Sequence, residues 1–282
     1  MRLASFSRGG REGFGPVVES SVLDLSSSGR WRSLADAIAS SPTAIMEAAT
    51  DAPRLELDAV DLLPPIPRGR TICVGVNYRD RPGEYGMAER PAFPSLFQRG
   101  HRAQVGHGAA LLLPPESELF DFEGEIAVIV GRGGRRIPRN EAHDAIAGIT
   151  CFNDGSLRDW MKHGVYNVTA GKNFDASGAA GPWILTSDEV EDWEAIALTT
   201  RVNGAVVQSD TTASMFFPIA DLVAYISSFT TLEPGDVIAT GTPVGSGGKR
   251  VPPSWLRDGD VVEVEVGGVG VLRNQVRREV RG

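Results

Sequence analysis

Cysteine and histidine are scarce in this chain, and long apolar runs are missing. Cys73 and Cys151 are the two cysteines in 282 residues. Each sits in an apolar, strand-like run with no CxxC spacing, which argues against a disulfide framework or a zinc site and predicts buried free thiols in a reducing cytoplasm. The four histidines (His101, His107, His143, His163) form no HExxH pair, and there is no GxSxG elbow, so zincin and serine-hydrolase chemistry lack support. No stretch approaches the roughly 18 apolar residues of a bilayer crossing, and the start MRLASFSRGG has no apolar segment of signal length. Basic charge is also short. With 28 Lys and Arg against 36 Asp and Glu, the net charge is −8 and the pI about 5.1, which excludes nucleic acid and anionic membranes as partners. The glycine-rich stretch GTPVGSGGKR at 241–250 fits neither GxxxxGK[ST] nor GxGxxG, so a nucleotide fold is rejected.

The residues that are present, 41% of them apolar, suffice for a packed core. Residues 2–25 alternate apolar and polar positions around glycine turns and predict short antiparallel strands. Two short helices are expected next, at 31–39 and 43–49. The prolines of LPPIP at 63–67 mark a boundary, giving a small N-terminal domain, 1–65, and a larger one, 66–282. In the second part strands are expected at 70–75, 91–99, 110–115, 183–186, 197–202, 206–208, 237–240, 261–266 and 269–272, with a hairpin at Asn203-Gly204. One helix is expected at 139–147, another from 154 to 163 capped by Asp154 or Ser156, and an amphipathic one at 219–228. The fold class is mainly β with α+β elements.

Residues 121–159 (DFEGEIAVIVGRGGRRIPRNEAHDAIAGITCFNDGSLRD) are the one place where acidic side chains interrupt sequence that otherwise reads as buried strand. Glu123 and Glu125 are two apart at the head of an apolar run, so in a strand they point the same way. Asp154 comes after a second apolar run, at a strand exit from which a loop can aim it at the first two. Three such oxygen ligands suit a hard divalent cation, Mg2+ with Mn2+ or Ca2+ as alternatives. The competing interpretation is a solvated strand face and a turn aspartate. Lys172 falls in a glycine-flanked loop, and the polar segment 76–86 is long enough to be a functional loop or lid.

Taken together, Gly75-Val-Asn-Tyr78, Asp121-Phe-Glu-Gly-Glu125, Asn153-Asp-Gly-Ser-Leu-Arg-Asp159, Gly171-Lys-Asn-Phe-Asp175, Val202-Asn-Gly with Gln208, and Pro234-Gly-Asp-Val-Ile-Ala-Thr-Gly-Thr-Pro243 closely resemble the fumarylacetoacetate hydrolase family, in its order, from about residue 70 to 276. The branch resembled includes acylpyruvases, oxaloacetate decarboxylases and 2-hydroxyhepta-2,4-diene-1,7-dioate isomerases. The resemblance implies a mixed β-roll or β-sandwich with a small N-terminal domain, a homodimer, a divalent metal and a small oxo-acid substrate. It implies Glu123, Glu125 and Asp154 as metal ligands and Lys172 as the lysine facing substrate. Arg158, Gln208, Thr242 and Tyr78 fall at substrate-contact positions, and Arg99 stands where relatives often have lysine.

One departure bears on the reaction. Hydrolytic relatives carry a histidine and a glutamate that activate water; here Glu84 matches the glutamate and Arg81 replaces the histidine. Arginine cannot act as a base at physiological pH. It is expected to bind a distal substrate carboxylate or to clamp Glu84. Met161 stands where some decarboxylase-type relatives have glutamine. The first expectation is a Mg2+-dependent hydrolase cutting a C–C bond in an acylpyruvate or 2,4-diketo acid, with Glu84, joined by His163, orienting the water. The alternative is an isomerase or decarboxylase of an unsaturated 2-oxo diacid, which needs no water nucleophile; a further alternative, of another class, is a non-catalytic oxo-acid binding protein.

Overall fold

The computed structural model describes residues 1–86, 91–165 and 167–280. The alternating N-terminal stretch forms β1 (Arg2–Arg8), β2 (Arg11–Val18) and β3 (Ser21–Leu23). Helices α1 (Leu34–Ala37) and α2 (Pro42–Ala49) come next, capped by Ser33 and Ser41, whose side chains accept from the N–H groups of Asp36 and Ala44. After β4 (Arg54–Glu56) the chain crosses to β5 (Thr71–Gly75), passes through α3 (Arg81–Glu84), and continues as β6 (Ser95–Arg99), β7 (Gly124–Val130) and β8 (Ile146–Asn153). The one-turn helix α4 (Thr169–Lys172), β9 (Gly178–Thr186), the long helix α5 (Ile219–Phe229) and β10 (Val237–Ala239) complete the path to the second sheet.

These strands lie in the order β4-β3-β2-β1-β9-β8-β7-β10-β5-β6, and the short strands Asp61–Leu62 and Gln104–Val105 add to β1 and β9, making a 12-stranded sheet. β10 and β5 are parallel, whereas β7 runs antiparallel to β10 and β6 antiparallel to β5. A five-stranded sheet runs through Ala205–Thr211, Ala197–Val202, Val261–Val266, Gly270–Arg278 and Leu111–Leu113. Its tight hairpin turns at Asn203 and Gly204, both at positive φ, as the Asn-Gly signal requires. The molecule is mainly β, with mixed sheets. No helix among the described residues is long and apolar enough to cross a membrane.

β7 is buried on both faces, which is why its sequence is an unbroken apolar run. Ile126, Val128 and Val130 face the larger apolar cluster, shared with α5 and the second sheet; Ala127 and Ile129 face another that contains Leu34, Ile45, Cys73 and Phe152. That second cluster mixes residues from both sides of position 65, and β1 pairs directly with β9. We propose that residues 1–65 are a sequence module whose core is completed by 66–282, so that the proline-rich crossing joins modules rather than separate cores.

Three local expectations change. The helix expected at 139–147 is two 3-10 turns, Arg139–Glu141 and His143–Ala145, because pairing with β7 pulls the chain into β8 from Ile146. The helix expected from 154 to 163 shrinks to the turn Trp160–Lys162, preceded by a strand pair between Ser156–Leu157 and Phe120–Asp121. Neither expected cap is available: the Asp154 carboxylate is held by Arg99 and Lys172, and Ser156 Oγ donates to the Asp154 carbonyl at 2.9 Å. Lys172, expected in a loop, ends α4.

The exit of β5 directs the chain toward α3. Val76 sits at φ +51°, costly for a β-branched residue. Asn77 holds the chain there: its Nδ2 donates to the carbonyls of Phe217 (3.1 Å) and Thr240 (2.8 Å), and its Oδ1 accepts from Phe217 N at 2.9 Å. Asn77→Ala strips partners from buried backbone groups and is expected to cost about 2–4 kcal/mol of stability. A urea midpoint unchanged from the parent contradicts this assignment.

Candidate active site

Strand alternation sets the first feature. Glu123 and Glu125 continue the face of Ala127 and Ile129, and Asp154 continues that of Phe152 on the neighbouring strand, so three carboxylates meet at one end of β7 and β8. Asp154 N donates to the Glu123 carbonyl at 2.8 Å, and Glu123 N donates to Asn153 Oδ1 at 3.0 Å, locking the two strand ends together. Gly124 has to be glycine, since a Cβ there would lie 1.9 Å from Thr200 Oγ1 in the second sheet. All three acids are buried, and one ligand oxygen from each lies within 4.8 Å of the others. The interpretation as a solvated strand face is thereby excluded.

Cations answer these charges. Lys172 Nζ donates to Glu123 Oε2 at 2.6 Å and also to Asp154 Oδ2, bridging two of the three acids. Arg99 Nη1 donates to Asp154 Oδ1 and to the Gly155 carbonyl, both at 2.7 Å, while its Nη2 reaches Ser177 Oγ at 2.9 Å. Arg158 donates from Nε to Asp121 Oδ2 and from Nη2 to Glu123 Oε1, each at 2.7 Å. Arg81 Nη2 donates to the same Glu123 oxygen at 2.5 Å, and its Nη1 to Glu84 Oε2 and, at 3.0 Å, to Ser246 Oγ. Burial alone would push the Glu123 carboxyl up, but Arg158, Lys172 and Arg81 together hold it far below the usual carboxylate range. Glu125 moves the other way: burial, then the charges of Asp154 and Glu123, push it well up, against weaker help from Lys172 and the Gly241 N–H. Burial disfavours the Lys172 ammonium, yet Asp154 and Glu123 outweigh it and raise its proton affinity.

These groups border a cavity of about 230 Å3, lined on its polar side by Arg81, Tyr85, Arg158, Lys172 and Thr242 and on its apolar side by residues including Leu96 and Phe97. That is room for a small acid rather than for a drug-sized ligand. A larger groove, about 510 Å3, lies between the N-terminal module and the 233–236 turn, where Arg68 pairs with Glu12 and Arg70 with Asp236; it gathers no comparable convergence of charge.

Other expected site residues fall elsewhere. Gln208 does not line the cavity; its Nε2 donates to Thr242 Oγ1 and the Pro243 carbonyl, both at 2.8 Å, and its Oε1 accepts from Gly124 N at 3.0 Å. Arg99 is turned away in the same manner, its Nη groups closed on protein oxygens. Tyr78 is wholly buried in the larger core, outside the cavity lining, and burial with the nearby Glu125 and Asp210 charges drives its phenol far up. Gln208 and the Arg99 Nη groups are thus committed to protein partners, whereas the Tyr78 hydroxyl and Arg99 Nε are buried without a hydrogen-bond partner. Glu84 is clamped, not free: Arg81 takes one oxygen, and Gly245 N donates to the other at 3.1 Å. His163 is exposed, its ring centred 4.5 Å from that of Trp160 and tilted 49° to it, and no hydrogen bond among the described residues joins it to Glu84. His143 stacks on Trp193 at 4.7 Å, a structural placement.

Sequence reasoning missed Asp121, Tyr85, Ser246 and Lys249. Asp121 accepts from Gly247 N (2.7 Å) and Gly248 N (3.0 Å) as well as from Arg158, so it fixes both the arginine and the glycine-rich loop. The phosphate-loop look of 241–250 was the available signal: its amides do face anions, but the anions are the protein's own Asp121 and Glu84.

The chain is similar to the human mitochondrial oxaloacetate tautomerase FAHD2A, 40% identical over 230 residues, covering 81% of this chain and 73% of that protein. The solved fumarylacetoacetate hydrolase from psychrophilic Exiguobacterium antarcticum matches with TM-score 0.86 at 34% identity, over 99% of this chain and 100% of that one. The 2-hydroxyhepta-2,4-diene-1,7-dioate isomerase from Mycobacterium marinum matches with TM-score 0.78 at 31% identity, over the full length of both. The model of the fumarylacetoacetate (FAA) hydrolase C-terminal family matches residues 70–277, and the chain belongs to this family of enzymes.

Proposed function

We propose that this protein is a divalent-cation-dependent enzyme that interconverts the keto and enol forms of a small 2-oxo dicarboxylic acid of the oxaloacetate type, by moving a proton and without activating water. The observation that carries this is Arg81: buried, permanently charged and tied to both Glu84 and Glu123, it stands where water activation would need a base. Hydrolysis of an acylpyruvate, the first expectation, is therefore the weaker reading. The oxaloacetate tautomerase and dioate isomerase among the similar proteins support proton-shift chemistry.

Glu123, Glu125 and Asp154 would hold the cation, Mg2+ or Mn2+ by the hardness of their oxygens. A bound cation would polarise the chelated oxygens of a 2-oxo acid. Lys172, whose protons Asp154 and Glu123 help retain, offers a fixed positive charge to the oxygen that becomes enolate and so stabilises charge; the proton leaving carbon passes to solvent water acting as base, not as nucleophile, and the enolate oxygen is protonated from the same solvent. Arg158 and Arg81 favour a substrate carrying a second carboxylate. Charge balance supports the same class: Arg81, Arg99, Arg158 and Lys172 face Glu84, Asp121, Glu123, Glu125 and Asp154, so a divalent cation makes the ensemble net positive and suited to an anion. The reading includes a homodimer in a reducing cytoplasm; Cys73 and Cys151 are both free and buried, the Cys151 thiol pushed up to about 12 chiefly by burial.

The reaction is tested by following the enol absorbance of oxaloacetate alongside release of pyruvate and free acid from acylpyruvates, each with Mg2+. Faster enol–keto exchange with intact acylpyruvates is expected; acylpyruvate cleavage without tautomerisation overturns the proposal. Glu125→Ala is expected to abolish calorimetric Mg2+ binding while circular dichroism keeps the β signal, and an unchanged Mg2+ isotherm removes Glu125 from the ligand set. Lys172→Met should lower kcat on the order of 10²–10³-fold with a much smaller change in KM. A large rise in KM at constant kcat would make Lys172 a binding residue only.

A further inference from the structure

α3 and Tyr85 form one wall of the catalytic cavity, and what holds them down is unusual. Lys249 Nζ donates to the Glu84 carbonyl at 2.6 Å and lies 3.7 Å over the Tyr85 ring; Gly245 N donates to Glu84, and Ser246 Oγ accepts from Arg81. The glycine-rich loop thus latches the helix from outside. From inside, the tie is Arg81 to Glu123, an oxygen that Arg158 also uses, while Lys172 takes the other oxygen of the same carboxylate.

We infer that Arg81 links this lid to the cation site, so that cation binding and lid closure oppose each other. The inference rests on the proposed cation site and adds its regulation. A divalent cation on Glu123 draws on the charge that now attracts Arg81, and it repels the guanidinium across a short, poorly screened distance. One of the three cations on Glu123 has to give. Arg158 is anchored by Asp121, which lies outside the cation site, and Lys172 by the Asp154 backbone carbonyl as well; the other partners of Arg81 are Glu84 and Tyr85, which would move with it, and the single hydroxyl of Ser246. Arg81 is the contact that yields, and with it the wall of the cavity opens. An incoming substrate carboxylate then becomes the partner that draws Arg81 and the lid back. Because coupling is reciprocal, anything that loosens the lid must tighten cation binding.

The test measures hydrogen exchange at the Tyr85 and Gly86 amides, which donate to the Pro82 and Gly83 carbonyls, together with calorimetric Mg2+ titration. It uses the parent, Arg81→Met and Ser246→Ala, the last removing a latch bond without changing charge. In the parent, Mg2+ alone should speed exchange at these amides. Arg81→Met should exchange fast without Mg2+, show no further response, and bind Mg2+ about fivefold or more tightly. Ser246→Ala, which carries the test if Arg81→Met fails to fold, should exchange faster and bind Mg2+ about two- to fivefold tighter. Mg2+ that binds the parent without altering lid exchange, or a Ser246→Ala lid that loosens with unchanged Mg2+ affinity, overturns the coupling and leaves the cation site standing. No Mg2+ binding to the parent brings down both.

Discussion

Buried carboxylates without countercharge are untenable in a protein interior, and much of this structure can be traced to the way Glu123, Glu125 and Asp154 are compensated. Lys172 bridges two of them, Arg99 and Arg158 each take one, and Arg81 adds a fourth cation from the segment after β5. Each cation has a further hold: Arg158 on Asp121, Arg99 on Ser177 and the nearby Ala103 carbonyl, Lys172 on the Asp154 carbonyl, and Arg81 on the neighbouring Glu84 and the distant Ser246. Removing one partner from such a set strands a buried charge, typically at about 3–5 kcal/mol, so the network resists piecemeal change. Glu125 is the exception, with burial and its acidic neighbours raising its carboxyl and only a backbone N–H and a more distant Lys172 opposing them. A site whose acid charge is almost but not fully matched suits a divalent ion.

The fold supplies position, not chemistry. Period-two alternation on β7 and β8 makes the carboxylates converge, and Gly124 allows the strand to approach the second sheet. The left-handed turn at Val76, held by the Asn77 hydrogen bonds, carries the chain over the site so that α3 can close it. Antiparallel pairing of β10 with β7, Ala239 opposite Ala127, brings Gly241 to the Glu125 carboxylate, where its N–H donates at 2.9 Å. Local strain at Val76 is thus maintained by contacts more than a hundred residues away.

Legibility in the sequence depends on the range of the forces. The mainly β fold, the Asn203-Gly204 hairpin and the helix at Ile219–Phe229 rest on local periodicity and turn chemistry, and they are readable. So is the convergence of Glu123 and Glu125, a property of one strand. The orientation of Gln208 and Arg99 is not, because each turns toward partners distant in sequence that lie inside the protein. The helix expected after Asp154 fails for the same reason: its capping carboxylate is committed to Arg99 and Lys172, a tertiary demand that outranks local propensity. The 241–250 loop shows the converse, a pattern of anion-facing glycines legible as such, whose anions only the fold could identify.

Three buried acids and Lys172 are proposed to form one cation and oxo-acid site. A crystal structure grown with Mn2+ and oxalate, an enolate mimic, tests this most directly through the anomalous scattering of the metal. A manganese peak bounded by Glu123, Glu125 and Asp154 is expected, with oxalate on its open side and the Lys172 ammonium drawn toward the oxalate. An empty anomalous map at these acids, with Lys172 still bridging Glu123 and Asp154 and oxalate bound elsewhere, would contradict it.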